Sequence, residues 1–73
     1  MKRYAVVYEQ TEKNWAAYIP DLPGCVTTGT TLGEAKRNIR EAVEVHLEAM
    51  KEVGETIPEP STEVDFLELP TVA

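Results

Sequence analysis

The sequence predicts an α+β fold in which one long helix packs against a small antiparallel sheet. Three short β-prone segments come first, one amphipathic stretch of about six turns follows, and a fourth β-prone segment lies near the C-terminus. We therefore expect a two-layer β-β-β-α-β unit. A length of 73 residues leaves room for a single domain, residues 1–73.

The first two predicted strands form a hairpin. Residues 4–9 (YAVVYE) carry apolar side chains on both faces, which is typical of a strand covered on both sides or paired at an interface. Residues 10–14 are polar and turn-forming, and residues 15–19 (WAAYI) resume the apolar pattern. This pattern predicts an antiparallel pair joined by a loop of about five residues.

A turn rich in proline ends the hairpin. Pro20 and Pro23 cannot donate backbone hydrogen bonds, and the pair formed by Pro23 and Gly24 favours a type II turn. The ladder between strands must therefore stop here. Because the loop is rigid, it is also able to present Asp21 and Leu22 to a partner at low entropic cost.

A third strand and the helix follow the turn. Residues 25–28 (CVTT) are β-prone, and Gly29 interrupts them. Thr31 and Glu34 fit a capping box, in which the threonine hydroxyl accepts a helical amide and the glutamate reaches back to the cap. Gly54 supplies a left-handed stop. The apolar residues between these signals form one stripe: Leu32, Ala35, Ile39, Ala42, Val43, Leu47, Met50 and Val53.

The last part of the sequence is predicted to return to the sheet. Residues 55–62 contain two prolines and few apolar side chains, so we expect an extended connector. Residues 63–69 (EVDFLEL) place apolar side chains on both faces of an extended chain, and Pro70 follows them. This segment is predicted to be the last strand.

The charge balance of the chain is acidic. Thirteen acidic and seven basic side chains give a formal net charge of −6. The average field therefore repels phosphates and attracts basic surfaces, so we expect a basic protein as the partner and no direct nucleic-acid binding. The basic cluster of Lys36, Arg37 and Arg40 does not change this expectation, because acidic neighbours within one turn largely cancel its field.

Cysteine content, hydropathy and length predict the cellular location and the oligomeric state. A single cysteine, Cys25, excludes a disulfide or a four-cysteine zinc site within one chain, and a reducing cytoplasm is the expected location. No signal-peptide core and no run of about 18 apolar residues is present, so neither export nor a membrane anchor is expected. A chain this short buries a small core, and we therefore expect self-association into a dimer or tetramer.

Several turn and cap motifs become specific when they are taken together. They are residues 18–25 (YIPDLPGC), residues 28–31 (TGTT), Glu34, Ala35, Asn38, Gly54, Ile57, Pro58, Pro60 and Ser61. In this order and spacing the sequence resembles the HicB-like antitoxin family over nearly its whole length. The resemblance implies a partial ribonuclease H-like fold. It also implies a protein that neutralises HicA-type toxins, which are small basic proteins that cleave messenger RNA using a histidine.

The sequence departs from the pattern of many family members at its C-terminus. Many family members continue into a helix-turn-helix or ribbon-helix-helix segment that binds operator DNA, whereas this sequence stops at Ala73. Autoregulation by this chain alone is therefore not expected, and DNA binding would need that segment or a basic surface created by oligomerisation. Short members without an obvious toxin also occur. The alternative function is therefore an orphan oligomeric interaction module with the same fold.

The sequence predicts a binding protein and not an enzyme, with no cofactor and no metal site. Ribonuclease H enzymes hold two metal ions with carboxylates that begin on the first strand, where this chain has only Glu9 at the end. Cys25 is predicted to be a small core hydrophobe. His46 falls within the apolar stripe of the helix and is predicted to be a packed or interface histidine, with a pH-sensitive contact as the alternative.

Seven residues are candidates for partner binding. The acidic helix face is by default a solvated surface, but its carboxylates can imitate RNA phosphates and compete for the lysines and arginines that a ribonuclease needs. A large aromatic beside a polar loop is either core or a partner anchor. The candidates are Trp15, Asp21, Leu22, Glu34, Glu41, Glu44 and Glu48.

Overall fold

The computed structural model describes residues 1–71, which form three strands followed by one helix. The strands are β1 (Val7–Gln10), β2 (Trp15–Tyr18) and β3 (Val26–Gly29), and the helix α1 is Leu32–Glu52. The strands form an antiparallel sheet in the order β1-β2-β3, and α1 packs mainly on β3 and β2. The predicted α+β class, with three strands and then a helix, is confirmed.

The strand register decides which side chains face the helix. Ala17 lies opposite Tyr8 on β1 and opposite Thr27 on β3, and it is buried beneath α1. Because side chains alternate along a strand, Trp15 shares the inner face with Ala17, and Tyr18 points to the outer face. Within residues 1–71 no second layer covers that outer face.

The core lies between the sheet, the turn after β2 and the first half of α1. None of its six residues is more than 5% exposed. They are Ala17, Ile19, Leu22, Cys25, Ala35 and Ile39. Full burial of a leucine or isoleucine side chain contributes about 1.5–3 kcal/mol. Cys25 is confirmed as a small core hydrophobe, and its burial raises the pKa of the thiol.

The helix approaches β3 so closely at Gly29 that no side chain fits between them. A Cβ on Gly29 would lie 2.5 Å from the backbone nitrogen of Ala35 and 2.9 Å from its Cα. The glycine that the sequence pattern treats as the end of a strand is therefore a packing requirement. Nearby, the side-chain amide of Asn38 donates to the carbonyl of Thr28 at 2.8 Å, which ties the same two elements together.

The N-terminal cap of α1 forms at the predicted residue, but one side chain of the predicted capping box binds the residue before the cap. Thr31 is the cap, and its hydroxyl accepts from the backbone amide of Glu34 at 3.1 Å, as expected. The Glu34 carboxylate instead accepts from the amide and the hydroxyl of Thr30, each at 3.1 Å. These hydrogen bonds hold the pKa of Glu34 below its ordinary value. Gly54, with a φ of 73°, ends the helix as predicted.

The predicted fourth strand does not form within the described chain. Residues 63–69 have no ladder partner among residues 1–71, and the first strand begins at Val7 instead of residue 4. β propensity reports how well side chains suit a pleated surface, and a segment becomes a strand only where it also reaches the edge of a sheet. Residues 63–69 lie beyond the connector and make no ladder contact with β1, β2 or β3. No helix in residues 1–71 is both long enough and apolar enough to cross a bilayer.

Candidate partner-binding surface

The second half of α1 carries a strip of exposed carboxylates, which we call the acidic face: Glu41, Glu44 and Glu48. Their spacing of three and four residues places them on neighbouring turns of one helix surface. Among residues 1–71 the one ion pair joins Lys2 to Glu59 at 2.8 Å, away from this helix. The acidic face therefore has no lysine or arginine paired with its carboxylates.

The charge of α1 changes sign along its length. Lys36, Arg37 and Arg40 fall in its first half, whereas residues 41–52 contain four glutamates and one lysine. Lys36 and Arg40 turn toward β1, where they line a cleft of about 270 Å³ with an apolar floor. The Lys36 ammonium lies 5.9 Å from the centre of the Tyr8 ring, which is a cation–π distance. The basic residues of this cleft therefore lie in the first half of α1, and the acidic face lies in its second half.

Asp21 has a structural role that uses both of its carboxylate oxygens. It accepts from the Ser61 amide at 2.9 Å and hydroxyl at 3.1 Å, and from the Thr62 amide at 2.9 Å and hydroxyl at 2.7 Å. The backbone amide of Thr62, followed by that of Ser61, lowers the pKa of Asp21 to about 2. Asp21 thus fastens the connector to the turn after β2, and its part in partner binding stays a prediction.

Leu22 and Trp15 belong to the packing of the core. The Leu22 side chain is 1% exposed, so the expectation that the loop presents it to a partner does not hold. The reason is the tight turn, in which the Leu22 amide donates to the Ile19 carbonyl at 3.0 Å and the Cys25 amide donates to the Leu22 carbonyl at 3.0 Å. Trp15 is half-buried and packs against the same core, and its role as a partner anchor stays a prediction.

His46 and Cys25, the imidazole and the thiol of the chain, also occupy packing positions. His46 is half-buried, and a Cβ added to Gly24 would lie 3.7 Å from its Cε1 atom. The ring therefore lies beside the turn after β2. Gly24 has a φ of 88°, as the third residue of a type II turn requires.

Among residues 1–71 no group of three histidine, cysteine, aspartate or glutamate side chains is arranged to hold a metal ion.

The outer face of the sheet is a second candidate surface. Val7, Tyr18 and Val26 lie side by side in one row across the three strands, and we call this row the bare sheet face. Val26 is 64% exposed. An antiparallel sheet commonly leaves one face in water, where polar residues are typical. This row is more apolar than a solvated face requires, which agrees with the apolar pattern on both faces of the first predicted strand.

Comparison with known proteins decides the family. Residues 4–70 match the family described as HicB_like antitoxin of bacterial toxin-antitoxin system. The chain belongs to the HicB-like antitoxin family. It is 36% identical over 69 residues to Antitoxin HicB 2 of Photorhabdus laumondii, and 33% identical over 67 residues to an uncharacterized 14.9 kDa protein of Haemophilus phage HP1. It covers 50% of the length of each of these two relatives, while they align with 93% and 92% of this chain.

Other similar proteins are nearer in size to this chain or have solved structures. UPF0150 protein Ta0767 of Thermoplasma acidophilum is 35% identical over 63 residues, which are 86% of this chain and 91% of that protein. A chain of a HicA3 and HicB3 toxin-antitoxin complex superposes with a TM-score of 0.71 at 32% identity, covering 82% of this chain and 70% of that one. TTHA0281 from Thermus thermophilus gives a TM-score of 0.65 at 40% identity, covering 90% and 82%. The ribonuclease H-like description stays a prediction.

Sequence reasoning missed the residues that fasten the C-terminal part of this HicB-like chain. Ser61 and Thr62 bind Asp21 from 40 and 41 residues away, and the Tyr4 hydroxyl donates to the Pro58 carbonyl. The one available signal was Asp21 itself, since the prolines on either side of it leave few backbone donors nearby for its carboxylate.

Proposed function

We propose that this chain is an antitoxin that binds a small basic HicA-type messenger-RNA interferase and covers its active site and RNA-binding surface. Membership of the HicB-like family and the fold shared with a chain of a HicA3–HicB3 complex support this partner. The observation that carries the mechanism is the acidic face, a row of exposed, unpaired carboxylates on a chain of net charge −6. The protein acts by occlusion and not by catalysis.

The acidic face suits this role because a helix holds its charges in fixed positions. An enzyme that cleaves RNA needs exposed lysines and arginines for phosphates, and carboxylates on a rigid surface compete for the same groups. Glu44 and Glu48 are like charges four residues apart, which costs the free helix a few tenths of a kcal/mol. A basic partner removes that repulsion. Opposite net charges also accelerate the encounter of the two proteins.

The test combines copurification with an RNA-cleavage assay, using a HicA-type toxin encoded beside this chain. We expect wild-type protein in excess to protect the RNA. The variant Glu41→Lys/Glu48→Lys is expected to bind the toxin at least tenfold more weakly. Its control is Glu12→Lys/Glu55→Lys, which makes the same change in net charge at two exposed positions outside the acidic face.

Two outcomes would contradict the proposal. If excess wild-type protein leaves the toxin fully active, the antitoxin function is wrong for that pair. If the two double variants lose affinity equally, net charge matters and the acidic face does not contact the toxin.

The alternative, an interaction module for some other protein, is favoured by the bare sheet face. A module of this kind would bind through Val7, Tyr18 and Val26, so Val26→Lys would abolish binding while Glu41→Lys/Glu48→Lys would leave it intact. The reading frame beside this one separates the alternatives further. A short basic chain with a histidine favours the antitoxin, and its absence favours the module.

A further inference from the structure

The second half of α1 packs less tightly than the first half. The buried residues of the helix, Ala35 and Ile39, both lie in its first half, and none of residues 41–52 is fully buried. The helix packs on β2 and β3 through one side only. The opposite side of its second half is therefore an unpartnered helix face within residues 1–71.

Two rows of exposed side chains run along α1 on this face. Residues four apart lie one above the other on a helix, and the last valine keeps this phase because the Val53 amide donates to the Ala49 carbonyl at 3.2 Å. One row, which we call the apolar ridge, consists of Val45, Ala49 and Val53. The row beside it consists of Glu44, Glu48 and Glu52. All six residues are exposed, and each of the two valines is 69% exposed.

The glutamates of the second row are placed against the dipole of the helix. The C-terminal end of an α-helix carries a partial negative charge, so it favours cations and disfavours anions. Glu52 nevertheless lies in the last turn of α1 and Glu48 lies just before that turn, whereas Lys51 is the only lysine or arginine among residues 41–52. This order of charges destabilises the isolated helix. Cations of a partner held beside Glu48 and Glu52 would remove that cost.

A second helix is the partner shape that these two rows fit. One helix packs on another by inserting a ridge of side chains into the groove between two ridges, and rows of residues four apart give the commonest arrangement. A strand would instead need free backbone groups, which α1 uses for its own hydrogen bonds. Ala49 lies between the two valines of the apolar ridge, and its small side chain leaves room for a larger apolar side chain of the partner helix.

The pattern of charge beside the apolar ridge decides the chemistry of that helix. Among residues 1–71 the glutamates of the second row form no ion pair, so their carboxylates are available to lysines or arginines. A partner helix with an apolar row and a basic row side by side matches both ridges at once. A nucleic acid does not, because the glutamates repel its phosphates, and a purely polar basic tail would leave the valines exposed.

We propose that the second half of α1 binds one amphipathic basic helix of the partner protein. The apolar row of that helix packs on the apolar ridge, and its lysines or arginines lie along Glu44, Glu48 and Glu52. The inference rests on the proposed antitoxin function, because the basic partner that it concerns is the toxin. The two rows have different roles: the carboxylates orient and accelerate the encounter, and the valines supply apolar area that becomes buried.

A synthetic peptide tests the site without any toxin. The probe is a peptide of about 20 residues, long enough to form a helix in water, with leucines in one row of that helix and lysines in the row beside it. We expect it to shift the amide resonances of Val45, Ala49 and Val53 in nuclear magnetic resonance spectra of the nitrogen-15 protein. Its control is a peptide of the same composition in scrambled order, which has no apolar row. The scrambled peptide is expected to bind at least tenfold more weakly.

The toxin encoded beside this chain tests whether the same face is used in the proposed complex. The variant Val45→Thr/Val53→Thr keeps the net charge and the shape of both side chains. It is expected to bind the toxin about tenfold more weakly, through faster dissociation, with unchanged circular dichroism. The matched control is Val26→Thr/Val64→Thr, which makes the same change at two valines outside the helix that are 64% and 54% exposed. The control is expected to bind like the wild type.

Three outcomes would overturn the inference. The first is equal affinity of the ordered and scrambled peptides, which would leave net charge as the only cause of binding. The second is wild-type affinity for the toxin in Val45→Thr/Val53→Thr. The third is a lower mass of that variant than of the wild type in sedimentation equilibrium, which would make the apolar ridge an interface between copies of this chain. If the ordered peptide binds but the toxin does not bind the wild-type protein, the antitoxin function fails and the helix-binding face stands.

Discussion

The body of the molecule, residues 4–62, and the projecting segment, residues 63–69, are held by different interactions. The body buries its apolar side chains between sheet and helix, whereas every apolar side chain of the projecting segment is more than half exposed. The boundary lies at Thr62, the last residue bound to Asp21. The comparison teaches that apolar side chains stabilise the fold on one side of this boundary, whereas on the other side they lie in solvent and contribute little to it.

The largest effect is expected at Gly29, in the body. Gly29→Ala places a methyl group 2.5 Å from the backbone nitrogen of Ala35, and backbone cannot move aside as a flexible side chain can. We expect a loss of about 3 kcal/mol or more in the free energy of unfolding, measured by urea denaturation. Gly33→Ala is the control, because its nearest neighbours lie 3.9 and 4.0 Å away. Equal stability of the two variants would refute the close packing.

Two leucine truncations compare the regions directly. Leu22→Ala removes a buried side chain and should cost about 2–5 kcal/mol. Leu67→Ala removes a side chain that is 83% exposed and should change the free energy of unfolding of the monomer by about 0.5 kcal/mol or less. Both are measured by urea denaturation at protein concentrations low enough to keep the chain monomeric. Similar losses would show that the projecting segment packs on its own body.

The helix cap gives a smaller effect within the body. Thr31→Ala removes the hydroxyl that accepts from the Glu34 amide and should cost about 1 kcal/mol. Thr31→Ser keeps that hydroxyl and is expected to stay within about 0.5 kcal/mol of the wild type. Thermal denaturation of both variants checks the difference. A Thr31→Ser protein as unstable as Thr31→Ala would mean that the hydrogen bond is not the cause.

Acid is expected to loosen the boundary between the two regions. The pKa of Asp21 in the folded chain is about 2, below its ordinary value of 3.8. A lowered folded-state pKa means that the contribution of Asp21 is complete above pH 3.8 and is lost as the pH falls through 2. Nuclear magnetic resonance of the Ser61 and Thr62 amides should follow this titration, and Asp21→Asn should abolish it. Amide shifts that persist in Asp21→Asn would assign them to another group.

Local signals predicted most of the body. Thr31 and Gly54 placed the ends of α1 within one residue, because a cap and a left-handed glycine act on adjacent backbone. Cys25 was correctly assigned to the core from its apolar neighbourhood. The acidic face was also visible in the sequence, because it depends only on the phase of the helix.

The remaining features depend on contacts that no local pattern encodes. The side chain of Leu22 turns inward because of hydrogen bonds within its turn, and Asp21 finds donors 40 residues away. Residues 63–69 have the composition of a strand, but composition does not reveal whether a neighbouring strand is available to pair with them. The partner-binding role of the acidic face likewise depends on the shape and charge of a second molecule.

The absence of a side chain at Gly29 sets the direction in which this protein shows its charge. With the backbone of α1 resting on β3 there, a rotation of the helix by one residue, about 100°, would drive a Cβ or a longer side chain into the strand. The close contact at Gly29 therefore helps to fix which side of α1 faces the sheet. The missing side chain at Gly29 thus influences the direction in which Glu41, Glu44 and Glu48 point, further along α1.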